Sequence, residues 1–339
     1  MLAAPQRNVD ARGGAPLRAL VTGITGQDGS LVAELLLARG YEVTGLTRSS
    51  PTEGLHAAEH LRDQIELIRG ELLDAGGLAA AVAEIAPDEL YHFAAPSAVP
   101  ASWQRPARTF AQIAVATAAL LEGVRDHSPH TRVFVAASGA MFGATDESPQ
   151  RERSACRPES PYATAKLAAH QLVGQLRAHD GLFACSGILY NHESVRRPQT
   201  FVPRKICRAA AAIKLGLAEE VVVRDPSAIR DWSFAGDIVH GAWLMLQQDA
   251  PDDYILASGV AHTVQDLAEI AFARVDLDAR DHIRGDATQA RAPEPVPRIG
   301  DPTRARDRLG WQPTVSFEQL IGRMVDCDLR ALERSSSVQ

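Results

Sequence analysis

Tyr162 and Lys166 in the stretch SPYATAK stand four residues apart, which puts a phenol and an ammonium on one face of a helix. In that arrangement the cation lowers the pKa of the phenol, so Tyr162 can take or return the proton of a substrate hydroxyl near neutral pH. The spacing is informative because the chain holds five tyrosines and only three lysines, Lys166, Lys205 and Lys214. Chance would supply about 0.04 such pairs in a chain of this composition. Ser138, at the end of TRVFVAAS, is placed to hydrogen-bond the same hydroxyl; its bland alternative is a strand-end serine that caps the next turn.

A tyrosine and lysine at this spacing are what reductases use to move a hydride, and the start of the chain offers a place for the hydride acceptor. The run LRALVTG (17–23) reads as a buried strand and passes directly into TGITGQDGS, with Gly23, Gly26 and Gly29 spaced by three. Glycine is required there because a side chain would block the tight turn and the approach of the backbone to a pyrophosphate held at a helix N-terminus. The next strand, YEVTGLTR (41–48), ends without the acid that would hold a ribose 2′-hydroxyl, and Arg48 in its place can pair a 2′-phosphate. This favours NADP, with NAD as the alternative. SLVAELLLARG (30–40) reads as a helix closed by Gly40, and ELYHFAA, TRVFVAAS and FACSGILY as later strands. Strands separated by helical segments imply an α/β fold, a doubly wound parallel Rossmann sheet with a smaller C-terminal substrate-binding lobe. The expected layout is a flexible tail over 1–17, a nucleotide-binding domain over 18–190 to which part of 221–260 returns, and a substrate lobe mainly over 191–339.

Composition narrows the function classes. The 339 residues are 45% hydrophobic, enough for a large core, and the net charge of −7 argues against a nucleic-acid footprint. No apolar run reaches membrane-span length and the N-terminus lacks an apolar signal segment, so a soluble cytoplasmic protein is expected. Cys156, Cys185, Cys207 and Cys327 have no metal-ligand spacing, and no metal site is expected.

TGITGQDGS, SPYATAK, GILYNHES, RKI, RDW and GDPTRARDRLGW together resemble the GDP-mannose 4,6-dehydratase branch of the extended short-chain dehydrogenases, from Leu17 to about Pro313. The resemblance implies that Gly23, Ile24, Thr25, Gly26, Gln27, Asp28 and Gly29 hold the cofactor phosphates and that Arg48 faces the 2′-phosphate. It further implies Glu71, Leu72, Ser97, Lys166, His192 and Arg197 around the rest of NADP. Asn191, Lys205, Arg230, Arg291 and Glu294 would contact a GDP-linked sugar, the arginines on the diphosphate and the glutamate on ribose hydroxyls. It also implies a homodimer or homotetramer.

The departures from that pattern bear on the chemistry. Where the family has a threonine, a small residue and a glutamate, this chain has Ser138, Gly139 and Ala140. The serine replaces the threonine's hydrogen bond, but an alanine cannot take the C5 proton or protonate a departing 6-hydroxyl, a role worth roughly 10²–10⁴-fold in rate. Glu71 stands for an aspartate, Glu159 for an arginine before SPY, and the segment before RAPE is shortened. The residues present suffice to oxidise C4 and hand the hydride back, so a C4 epimerase or oxidoreductase is the first reading. A 4,6-dehydratase with another acid, His92 being an outside candidate, is the alternative. A catalytically idle binding subunit is the remote one, and the intact Tyr162 and Lys166 speak against it.

Overall fold

A computed structural model of the chain describes residues 14–48, 54–286 and 296–336. The calls on the tail before residue 14, on the loop Ser49–Glu53 and on Arg291 and Glu294 lie outside the described residues.

Seven strands form one sheet: β1 Arg18–Thr22, β2 Glu42–Thr47, β3 Glu66–Arg69, β4 Glu89–His92, β5 Arg132–Ser138, β6 Ala184–Leu189 and, after three outlying strands, β10 Tyr254–Leu256. Their order is β10-β6-β5-β4-β1-β2-β3, and every pairing is parallel. A parallel sheet is covered on both faces, and alternate β1 residues show it: Val21 packs in one core cluster and Leu20 in another. The order reverses at β1–β4, the crevice where such sheets bind ligands. Residues β3 and β10, four and three residues long, are strands that the sequence reading did not include.

The crossovers are α1 Gln27–Leu37, α2 Ala75–Ile85, the short α3 Val99–Ser102 and α4 Pro106–Phe110, α5 Ala116–His127 and α6 Pro161–Asp180. A π-helical turn, Ala111–Val115, joins α4 to α5. Helix α1 starts three residues earlier than expected from its apolar run, because the chain turns helical directly after the extended N-cap Gly26, and it ends before Gly40, whose φ is +79°.

Beyond β6 a second set of elements forms: β7 Asn191–Glu193, α7 Val202–Lys214, β8 Val221–Val223, β9 Ile229–Phe234, α8 Ala235–Leu246, β11 Ala261–Thr263, α9 Val264–Ala273, α10 Ala279–His282, β12 Ile283–Gly285, α11 Thr303–Leu309 and α12 Phe317–Ser336. Its core gathers Ile206, Leu267, Phe272, Leu320 and Met324 from α7, α9 and α12, with Trp232 stacked on Phe317 at 5.6 Å. This part is tied to the main sheet and its helices at several points. Helix α8 packs on α1, and β10 pairs with β6. The C-terminal segment is anchored where the buried Asp237 carboxylate accepts from Thr314 N and Oγ1 and Trp311 Nε1 donates to the Asp237 carbonyl at 2.7 Å.

Among the described residues no helix is long and apolar enough to cross a membrane, and no group of three or more His, Cys, Asp or Glu is arranged to hold a metal.

Candidate active site

The turn after β1 is built for close approach. Gly23 has φ +77°, and a Cβ on it would stand 2.8 Å from Ala94 N. A Cβ on Gly29 would stand 2.1 Å from Gly23 O, so Gly29 lets α1 lie flat on the turn. Ile24 is fully buried beneath it. The N-cap Gly26 offers no side-chain cap, so the first amides of α1 point outward unpaired by any capping group, the arrangement that receives phosphate oxygens. This cradle fits a dinucleotide pyrophosphate. Arg48 is exposed just past the end of β2, Glu71 is exposed and Leu72 partly buried just past β3, and Ser97 is exposed beyond β4. All four therefore lie on loops at the carboxyl edge of the sheet.

Three of the predicted cofactor residues close a network across the crevice. His192 Nδ1 donates to Tyr190 O at 2.7 Å and its Nε2 to Asp28 at 3.0 Å, and a ring that donates from both nitrogens is the imidazolium. Burial alone would push His192 down, but the Asp28 charge outweighs it and the pKa is raised; burial would raise Asp28, and His192 outweighs that, leaving it lowered. Gln27 donates to Asp28 at 3.0 Å and to His192 O at 3.2 Å, and receives Ser194 Oγ at 2.9 Å. Arg196, which the sequence reading did not single out, reaches Ser30 Oγ at 3.1 Å and also bonds Glu34 of α1. Thus β7 is clamped to the phosphate turn. Arg197 contacts the buried Glu193 at 3.2 Å and lies 3.7 Å over the Phe201 ring. The Glu193 contact is made by its Nε and is an ion pair whose alignment falls short of a hydrogen bond.

Helix α6 presents the hydroxyl chemistry. Ser160 Oγ accepts from Ala163 N at 3.2 Å and Pro161 occupies the first turn, which start the helix just ahead of Tyr162. Ser138 lies against the Tyr162 phenol and pulls its pKa down against burial, and the serine Oγ accepts from Ala140 N at 3.2 Å, which is the turn-capping role weighed for it. Lys166, 6% exposed, donates to Ala136 O at 2.6 Å, with its Nζ 5.9 Å from the Tyr162 ring centroid. Burial lowers the Lys166 pKa to about 8, against the pull of Asp28. One expectation is corrected here. Burial raises the Tyr162 pKa, and the groups that oppose it are Ser138 and then Arg197; the lysine does not bring the phenol below its usual value.

His92, the outside candidate for an acid, shares a hydrogen bond between its Nδ1 and Thr22 Oγ1 at 2.7 Å, and burial drives its pKa down to about 3. It is neutral at physiological pH. Ala140 is partly buried at the start of the turn Gly139–Phe142, with no carboxyl of its own.

The expected substrate contacts are more dispersed. Asn191 is exposed on β7 and pairs with Trp232 of β9, two residues from Arg230. Arg230 Nη1 donates to Ile229 O at 2.6 Å. Lys205 lies exposed on α7 with Nζ donating to Val222 O at 2.7 Å.

Comparison with known proteins now places this arrangement. A family profile described as GDP-mannose 4,6 dehydratase matches residues 20–324. GDP-mannose 4,6 dehydratase 1 of Arabidopsis thaliana is 43% identical over 328 residues, 93% of this chain and 91% of that protein. The human GDP-mannose 4,6 dehydratase is 36% identical, with 98% of each chain covered. Among solved structures, a UDP-glucose 4-epimerase of Thermotoga maritima superimposes with a TM-score of 0.82 at 22% identity, over 93% of this chain and 100% of that one. An RMD from Pseudomonas aeruginosa complexed with NADPH gives 0.79 at 24%, over 93% and 99%. At those identities the structures attest to the fold. The sequence relatives and the matched profile carry the assignment: this chain belongs to the GDP-mannose 4,6-dehydratase family of the extended short-chain dehydrogenases.

Proposed function

We propose that the chain is an NADP-dependent enzyme that oxidises C4 of a GDP-linked sugar and completes a 4,6-dehydration, releasing water. The observation that carries the reading is the constellation of Ser138, Tyr162 and Lys166 beside the uncapped turn Gly23–Gly29, in a chain at 36–43% identity to proteins named for that reaction. The dinucleotide, held by the Gly23–Gly29 turn with Arg48, His192 and Arg197, supplies hydride acceptance and return. NAD is the alternative. Tyr162 accepts the O4 proton, Ser138 holds that oxygen in line, and Lys166 keeps positive charge beside the phenol as its proton changes hands. Residues 18–190, with β10 and α8 returning to them, would hold the dinucleotide, and 191–339 mainly the nucleotide sugar.

Ala140 favours a second reading, a GDP-sugar 4-epimerase or C4 oxidoreductase. With no carboxyl at this position, the C5 proton must leave to another group, and the oxidation and return at C4 remain intact without it. Incubation with NADP and GDP-mannose, resolved by product mass, separates the two: loss of water supports dehydration, and equal mass with altered retention supports epimerisation.

A second copy of the chain is the proposed partner. Trp103, Phe110 and Val115 are 61%, 40% and 47% exposed beside α6 and line open grooves of about 630 and 350 Å³. Arg108 and Glu122 stand seven residues either side of Val115, so two copies of this helical face crossing antiparallel would set arginine against glutamate. Val115→Arg should shift the sedimentation of a dimer or tetramer to monomer; a wild type that sediments as a monomer contradicts the pairing.

A further inference from the structure

We propose that Arg298 is a further arginine for the diphosphate of the nucleotide-linked substrate, beside Arg230, and that Glu159 is a counter-ion it surrenders when that diphosphate arrives. The inference rests on the reading that this site takes a nucleotide sugar.

Arg298 and Arg230 are partners in an isolated parallel bridge. Paired residues of neighbouring strands project to the same face, about 5 Å apart. The planar forks of two guanidinium groups carried on one face match the oxygens of a diphosphate. In this structure Arg298 Nη2 donates to Glu159 Oε2 at 3.1 Å. Glu159 lies one residue before the cap of α6 and three before Tyr162, so the arginine points toward the mouth of the catalytic helix.

The backbone that carries Arg298 is held on both sides. Gln150 N donates to Ile299 O at 2.8 Å and its Nε2 to Pro297 O at 3.1 Å, while Gly300 N donates to Asp231 at 3.2 Å. Asp231 is fully buried, and its carboxylate also gathers Ser258 N, Ser258 Oγ and Gly259 N. This lock places Arg298 by the fold and gives the RDW segment a positioning role. The glutamate, by contrast, has a side chain 53% exposed, and an ion pair so open to solvent is readily exchanged for a doubly charged ligand.

The test is titration of the NADP-loaded protein with GDP and with guanosine, for wild type, Arg298→Gln, Glu159→Gln and the double variant. Arg298→Gln should weaken GDP roughly 10- to 100-fold and leave guanosine within about twofold, the cost of one charge-assisted contact. In turnover it should raise KM more than it lowers kcat. Glu159→Gln should tighten GDP several-fold, and the double variant should match Arg298→Gln. GDP affinity unchanged in Arg298→Gln, or weakened in Glu159→Gln, would reduce the pair to a structural latch and overturn the proposal. A wild type that binds no GDP would overturn the nucleotide-sugar reading itself, and the inference with it.

Discussion

Lys166 is held charged in a buried site at a cost that can be measured. Its pKa falls from 10.5 to about 8, a displacement whose full value is about 3.4 kcal/mol at 1.36 kcal/mol per unit. Because the folded value lies below the unfolded one, the unfolded chain binds a proton between about pH 8 and 10.5 that the folded chain does not, and stability rises with pH through that window. Replacing Lys166 with Met removes the titration. Worked through the linkage relation, wild type should gain about 2 kcal/mol on the methionine variant between pH 7.5 and 9.5. The assay is urea unfolding of both ligand-free proteins at the two pH values, with the difference taken at each pH so that other titrations cancel. At pH 7.5 the variant loses the bond to Ala136 O, worth about 1.5–3 kcal/mol for a charged donor, which offsets most of the relief. The two proteins should therefore be of similar stability there, with the variant unable to turn over substrate. A stability difference that stays constant from pH 7.5 to 9.5 would refute the claim that Lys166 is a desolvated cation.

Three further outcomes follow from the site. Tyr162→Phe should abolish turnover while GDP-sugar affinity stays within a few fold, since the phenol acts on a proton and not on the diphosphate; an equal loss of binding would make Tyr162 structural. Gly29→Ala should eliminate dinucleotide binding as read by fluorescence titration, because the added carbon meets Gly23 O at 2.1 Å and the turn must open to admit it. Arg48→Gln should weaken NADP by roughly 10-fold or more and leave NAD within about twofold, the signature of a contact to the 2′-phosphate; equal effects on both would remove Arg48 from that role.

The parts of the molecule legible in the sequence are those whose local chemistry has one solution. TGITGQDGS could be read as a tight turn into a helix because positive φ and close backbone approach demand glycine at Gly23 and Gly29. SPYATAK could be read as a helix start carrying Tyr162 and Lys166 because Ser160 caps and Pro161 suits the first turn. The short strands β3 and β10 escaped since three or four residues show no period. The bond from His192 to Asp28, 164 residues away, and the reach of Arg196 to Ser30 have no local signal at all, being products of where β7 meets α1. The same holds for Arg298, which reads as one polar residue in a proline-rich stretch until the bridge to Arg230 sets it. The raised pKa of Tyr162 depends on burial, which spacing alone does not report.

The central claim, C4 oxidation followed by loss of water in a site whose residue 140 is alanine, is tested most directly by one incubation. Protein, NADP and GDP-mannose are combined in deuterated water, and the product is read by mass spectrometry and NMR. Dehydration predicts a product lighter by one water that carries a single deuterium at C5, because the C5 proton is lost to a base and regained from a solvent-equilibrated acid. A product of unchanged mass with no deuterium at C5 or C6 would contradict that claim and leave Ser138, Tyr162 and Lys166 as the machinery of a C4 epimerase.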